Sequence, residues 1–104
     1  MSAKEQIQSL IDNNKIVIFM KGTPSQPQCG FSAAAIRCLQ DAGATFESVD
    51  VLSNPEIREE VKVFSNWPTI PQIYMKGEFV GGCDIIRELH ASGELKTMVA
   101  NALS

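Results

Sequence analysis

The chain has 104 residues, 44% of them hydrophobic and 20% charged, with a formal net charge of −3. That length supports one ordinary core; no basic run offers a nucleic-acid surface, and no apolar run approaches the roughly 20 residues of a membrane span. Three cysteines give no disulfide framework, and the amino-terminal residues show no signal or transit segment, so a reducing, cytoplasmic setting is expected.

Ser2 opens a capping box with Glu5, and Ile7, Leu10 and Ile11 make one apolar face, so a first helix is predicted to about Asn13. Ile16 to Met20 is apolar on both faces, the pattern of a central buried strand. A polar loop runs from Lys21 to Cys29, and the alanine-rich segment Ala33 to Ala42 predicts a helix. Its apolar stripe holds Phe31, Ala35, Cys38 and Ala42, with Ile36 and Leu39 beside it, and Gly43 stops it. Phe46 to Val51 reads as a second strand, which makes strand, helix and strand a parallel crossover unit. Asn54-Pro55 opens a third helix with Ile57, Val61 and Phe64 on its buried side. Two prolines between Asn66 and Pro71 exclude regular structure there. Gln72 to Met75 and Glu78 to Val80, joined at Lys76-Gly77, read as an antiparallel hairpin. After the Gly81-Gly82 break, Cys83 and Asp84 open a helix through Leu89, with Asp84 as its amino cap. Ser92-Gly93 separates it from a last amphipathic helix carrying Leu95, Met98, Val99, Ala102 and Leu103. The sum is an α/β fold: one four-stranded mixed sheet with helices on both faces, in a single domain over 1–104.

The chemistry concentrates between Lys21 and Ser32. Cys29 falls at the amino end of a helix, where unpaired N–H groups and the helix dipole favour an anion. The thiolate stabilised there is the form that attacks disulfides or binds metal. An inert buried thiol is the bland alternative, and the position of Cys29 outside the apolar stripe counts against it. Cys38 lies on that stripe and reads as core. Lys21 ends a buried strand, so its charge must reach solvent or an anion, and it can add positive charge near Cys29. Arg58, on the polar side of the third helix, reads from pattern alone as a surface residue. His90, the lone histidine, is far in sequence from these residues and takes no role.

Cys29-Gly30-Phe31-Ser32 resembles the signature of monothiol glutaredoxins. The similarity extends through Met20 to Pro24, Asn54-Pro55, Trp67 to Gln72 and Gly81 to Asp84, five motifs in the family's order over about 65 residues. The resemblance implies the thioredoxin fold. Ser32 stands where dithiol relatives carry a second cysteine, besides being an ordinary helix-start residue. A hydroxyl cannot resolve a mixed disulfide, so any thiol chemistry must end on another thiol. The resemblance also implies a glutathione site. Lys21 and Arg58 would hold the carboxylate of its glycine end; Thr69, Ile70 and Pro71, with a cis Ile70–Pro71 bond, would present the backbone of Ile70; Cys83 and Asp84 would hold the γ-glutamyl end. Two readings stand for Cys83: a backbone contact to a ligand, or a disulfide with Cys29 as considered for the family. The family places Trp67 near the site, where its residue type also suits plain packing, and Phe31 reads as an exposed contact for a partner.

A 2Fe-2S cluster takes four thiolates. Cys29 from each of two chains and one glutathione on each would supply them. The resemblance therefore implies a bridged homodimer that carries a labile cluster to apo iron-sulfur proteins in cluster assembly and iron homeostasis, with a BolA-type protein as a further partner. The alternative is a glutathione-dependent thiol-disulfide oxidoreductase that removes glutathione from protein cysteines through the same Cys29. The loop from Lys21 to Cys29, with Pro24 and Pro27, works against that alternative by misplacing the glutathione sulfur.

Overall fold

A computed structural model describes all residues, Met1–Ser104. In chain order the elements are α1 (Ala3–Asn13), β1 (Ile16–Met20), α2 (Gly30–Asp41), β2 (Glu47–Asp50), a 3-10 turn (Val51–Ser53), α3 (Pro55–Ser65), β3 (Gln72–Met75), β4 (Glu78–Gly81), α4 (Cys83–Ser92) and α5 (Glu94–Leu103). The sheet order is β2-β1-β3-β4, with β2 parallel to β1 and the other pairs antiparallel. This is the thioredoxin arrangement.

The sheet is covered on both faces, and β1 shows why its sequence lacks alternation. Ile16, Ile18 and Met20 pack with Ala35, Ile36 and Leu39 of α2, Ile86 of α4 and Leu95 and Val99 of α5. Val17 and Phe19 point the other way, into Ile7 and Ile11 of α1 and Ile57 and Val61 of α3. Each β1 side chain therefore meets a helix layer whichever way the pleat turns it. Tyr74 of β3 joins the second layer, edge-on to Phe19 with ring centres 5.7 Å apart. The capping box forms as predicted: Glu5 N–H donates to Ser2 Oγ at 3.1 Å and Ser2 N–H to Glu5 Oε1 at 2.9 Å.

Three local expectations change. Phe31 is 61% exposed and joins neither core layer, so it leaves the buried stripe and keeps only its reading as an exposed aromatic; its side chain lines the groove described below, while its neighbour Ser32 turns inward. Asp84 does not cap α4. Cys83 already has helical backbone, so the cap position falls on Gly82 and Asp84 is the second helical residue, exposed to solvent. The same helix runs past Leu89 to Ser92, where Gly93 at φ 84° closes it.

Candidate functional site

The loop between β1 and α2 is built from its own backbone. Gln28 N–H donates to the Lys21 carbonyl at 2.9 Å, and Thr23 and Gln26 exchange two backbone hydrogen bonds of 3.2 and 3.1 Å. Gly22 makes this closure possible. Its φ is +89°, and a Cβ there would lie 2.5 Å from the Gln26 carbonyl oxygen and 2.7 Å from the Gln28 nitrogen. The loop thus delivers Cys29 to the N-cap of α2 in extended conformation.

Cys29 is half-exposed at that cap. No hydrogen bond of full geometry reaches its sulfur, yet the surroundings favour charge on it. The backbone N–H of Ser32 lowers its pKa most. Desolvation acts against this, and the Phe31 N–H, the Lys21 charge and the Ser32 hydroxyl reinforce it; the balance holds the thiol below its ordinary value. The other two cysteines are opposite cases. Burial pushes the Cys38 and Cys83 thiols up. Cys38 belongs to the α2 core layer, as its place on the stripe indicates. Cys83 is 6% exposed, so its thiol is buried. All three thiols are free.

Beside Cys29 a groove of about 380 Å³ opens, within the ~300–1,000 Å³ typical of small-molecule sites. Phe31, Trp67 and Ile85 give it apolar lining, and Thr69, Ile70, Pro71, Cys83 and Asp84 line it as well. The Ile70–Pro71 bond is cis. Gly82 also lines the groove, and a Cβ there would crowd the Pro71 carbonyl at 3.1 Å and the Trp67 indole nitrogen at 3.2 Å. Lys21 and Arg58 do not line this groove. They are nonetheless free cations: the two ion pairs present are Lys62–Glu59 and His90–Asp41. Arg58 Nε is buried without a hydrogen-bond partner. A buried guanidinium N–H left without a partner is costly.

The residue pattern and this geometry agree with the comparisons. The family model described as Glutaredoxin matches residues 16–80. An uncharacterised monothiol glutaredoxin of Synechocystis, described as ycf64-like, is 52% identical over 101 residues, covering 97% of this chain and 94% of that one. The chain belongs to the monothiol glutaredoxin family. Monothiol glutaredoxin-S17 of Arabidopsis thaliana is 46% identical over 99 residues, and this glutaredoxin spans 95% of itself but 20% of that longer protein. The solution structure of reduced poplar apo GrxS14 superposes with a TM-score of 0.83 at 46% identity, covering 96% of this chain and 92% of that one.

Three features of this glutaredoxin escape a reading of the sequence alone. Ser32 is fully buried, and its Oγ accepts the Lys21 N–H at 3.2 Å, so it joins the end of β1 to the start of α2. Gln72 is fully buried in an otherwise apolar strand. Its Nε2 donates to the carbonyls of Trp67 (3.0 Å) and Thr69 (3.2 Å), and its Oε1 accepts from the Tyr74 hydroxyl (3.2 Å). One amide thereby holds the backbone of two residues that line the groove. A glutamine opening an apolar strand was the available signal. Asp50 is the third, and it is taken up below.

The thiol environments predict selective labelling. At neutral pH iodoacetamide is expected to modify Cys29 alone, with Cys38 and Cys83 reacting only on unfolding, as read by mass spectrometry. The labelling rate should level off at lower pH than for an unperturbed cysteine. Folding lowers the Cys29 pKa, so the contribution of this thiol to stability is complete above the unfolded value and is lost as pH falls through the folded one. Equal labelling of all three folded thiols would contradict this assignment.

Proposed function

We propose that this glutaredoxin is a carrier of 2Fe-2S clusters, in which Cys29 of each of two chains and one glutathione per chain hold the cluster across a homodimer. One observation carries the reading: a single thiol per chain is accessible and favoured as thiolate, whereas the other two are buried and held protonated. No group of three or more His, Cys, Asp or Glu side chains within one chain could hold a metal. A four-thiolate cluster therefore needs a second chain and two outside thiols.

Glutathione fits the donors available. It brings one thiol, two carboxylates and an amine. Lys21 and Arg58, both unpaired, suit the carboxylate of its glycine end. The backbone of Thr69, Ile70 and Pro71 would meet its middle, and Asp84 with the Cys83 backbone its γ-glutamyl end. The cluster would be the cargo. Held partly by non-covalent contacts to glutathione, it would pass readily to apo iron-sulfur proteins, in cluster assembly and iron homeostasis. A BolA-type protein is the proposed partner of a mixed complex, and a reducing cytoplasm would keep all three thiols free.

The second reading, a thiol-disulfide oxidoreductase that removes glutathione from protein cysteines, uses the same thiolate. The closed Lys21–Gln28 loop beside Cys29 weighs against it, because its internal hydrogen bonds resist the shift that sulfur-to-sulfur transfer would ask of it. Anaerobic reconstitution with ferrous iron, sulfide and glutathione tests the two. Visible absorption and circular dichroism bands with a dimeric mass, both lost when glutathione is removed, are expected. A colourless monomer that turns over mixed disulfides would replace the carrier reading with the reductase one.

A further inference from the structure

Asp50 ends β2 opposite Met20, the last residue of β1, so the parallel ladder stops there. The next two backbone N–H groups of the β1 strand line, those of Lys21 and Gly22, have no strand to pair with. Side chains take both. Lys21 N–H donates to Ser32 Oγ at 3.2 Å, and Gly22 N–H donates to Asp50 Oδ1 at 2.9 Å. The Lys21 carbonyl accepts from Gln28. The backbone around Lys21 is thus held from α2, from β2 and from its own loop.

Asp50 is itself locked. The same Oδ1 accepts the Leu52 N–H at 3.0 Å, and Oδ2 accepts the Ser53 hydroxyl at 3.0 Å. These bonds cap the 3-10 turn that leads into α3, the helix carrying Arg58. One carboxylate therefore joins the root of Lys21 to the segment that launches Arg58, the two cations read above as the carboxylate site.

We propose that Asp50 is a positioning residue that sets the spacing of Lys21 and Arg58, and so selects a ligand with a terminal carboxylate between these two cations. It touches no ligand; it acts through the Gly22 N–H and the 3-10 turn. The inference rests on the glutathione reading, and its test separates the two. Binding of glutathione and of its analogue with the glycine carboxylate converted to a carboxamide is measured by calorimetry on the parent chain, Asp50→Ala and Asp50→Asn. The parent should prefer glutathione. Asp50→Ala should bind glutathione about tenfold more weakly, the scale of a lost charge-assisted contact, with its affinity for the carboxamide unchanged. Asp50→Asn should behave as the parent, because its side-chain oxygen still accepts from Gly22 and Leu52. General destabilisation would weaken both ligands alike and could not flatten the preference.

Should Asp50→Ala fail to fold, Asp50→Ser serves, since a hydroxyl one atom shorter does not span to both Gly22 and Leu52. Exchange of the Gly22 amide proton, protected in the parent and Asp50→Asn and fast in the variant, confirms the broken latch. Retained preference for the carboxylate in a folded variant with an unprotected Gly22 overturns the positioning role alone. A parent chain that binds neither ligand overturns the glutathione reading and this inference with it; a parent that binds both equally overturns the carboxylate site and with it this inference.

Discussion

Cys29→Ser is expected to reduce the reconstituted cluster absorbance to background and leave the protein monomeric, with no loss of stability. A serine hydroxyl does not ionise near neutral pH and offers iron no thiolate. It does, however, suit the N-cap. The cap of α2 makes no side-chain hydrogen bond with Cys29 in place, and serine at that position is worth about 0.5–1 kcal/mol to a helix. The melting temperature should therefore hold or rise by a few degrees. That pairing makes the result informative, because the loss cannot be attributed to unfolding. A Cys29→Ser protein that assembles the same glutathione-dependent cluster would remove Cys29 as the ligand and end the carrier reading.

The second large effect is structural and reaches the site. Gln72→Leu keeps the side-chain volume and removes three hydrogen bonds at once. Tyr74 is 2% exposed, and burial already pushes its phenol up, with the Ser65 hydroxyl its remaining polar neighbour. The carbonyls of Trp67 and Thr69 lose their donor as well. The cost should be about 2 kcal/mol, since each buried polar group left unpaired costs roughly 1–3 kcal/mol and water and Ser65 recover part of it. For a chain of this size that lowers the melting temperature by about 10–15 °C. Calorimetry on glutathione should show weaker binding too, because Trp67, Thr69, Ile70 and Pro71 line the groove. A melting temperature within two or three degrees of the parent would show that this amide is not what holds the segment.

Much of this was legible before any coordinates. The unbroken apolar run Ile16–Met20 implied a central strand because a sheet covered on both faces has no polar side to show. Ser2 with Glu5, Pro55 and Gly93 marked helix ends through the backbone groups that helix ends leave open. Cys29 stood out because a thiol after a polar loop and before an alanine-rich segment can only fall at a helix start. The cysteine stripe separated Cys38 from Cys29 by periodicity alone. Less legible were features that depend on what lies across a gap. Phe31 has the spacing of the buried stripe, yet its side chain lines the groove instead of entering the core. Asp84 has the residue type of a cap, yet Cys83 enters the helix first.

By itself, then, the sequence determined the order of elements, the mixed sheet and the place of Cys29 at a helix start. Those follow from local rules: hydrophobic period, turn chemistry and the dipole of a helix end. Only the tertiary structure decided which polar residues hold the site together. Ser32 took the Lys21 N–H, Asp50 took the Gly22 N–H 28 positions away, and Arg58 was left with a buried N–H open. The physical reason is that a hydrogen bond between distant elements leaves no periodic trace. Serine, aspartate and arginine look like surface residues until the fold removes water from them, and from then on each must find a partner or await one.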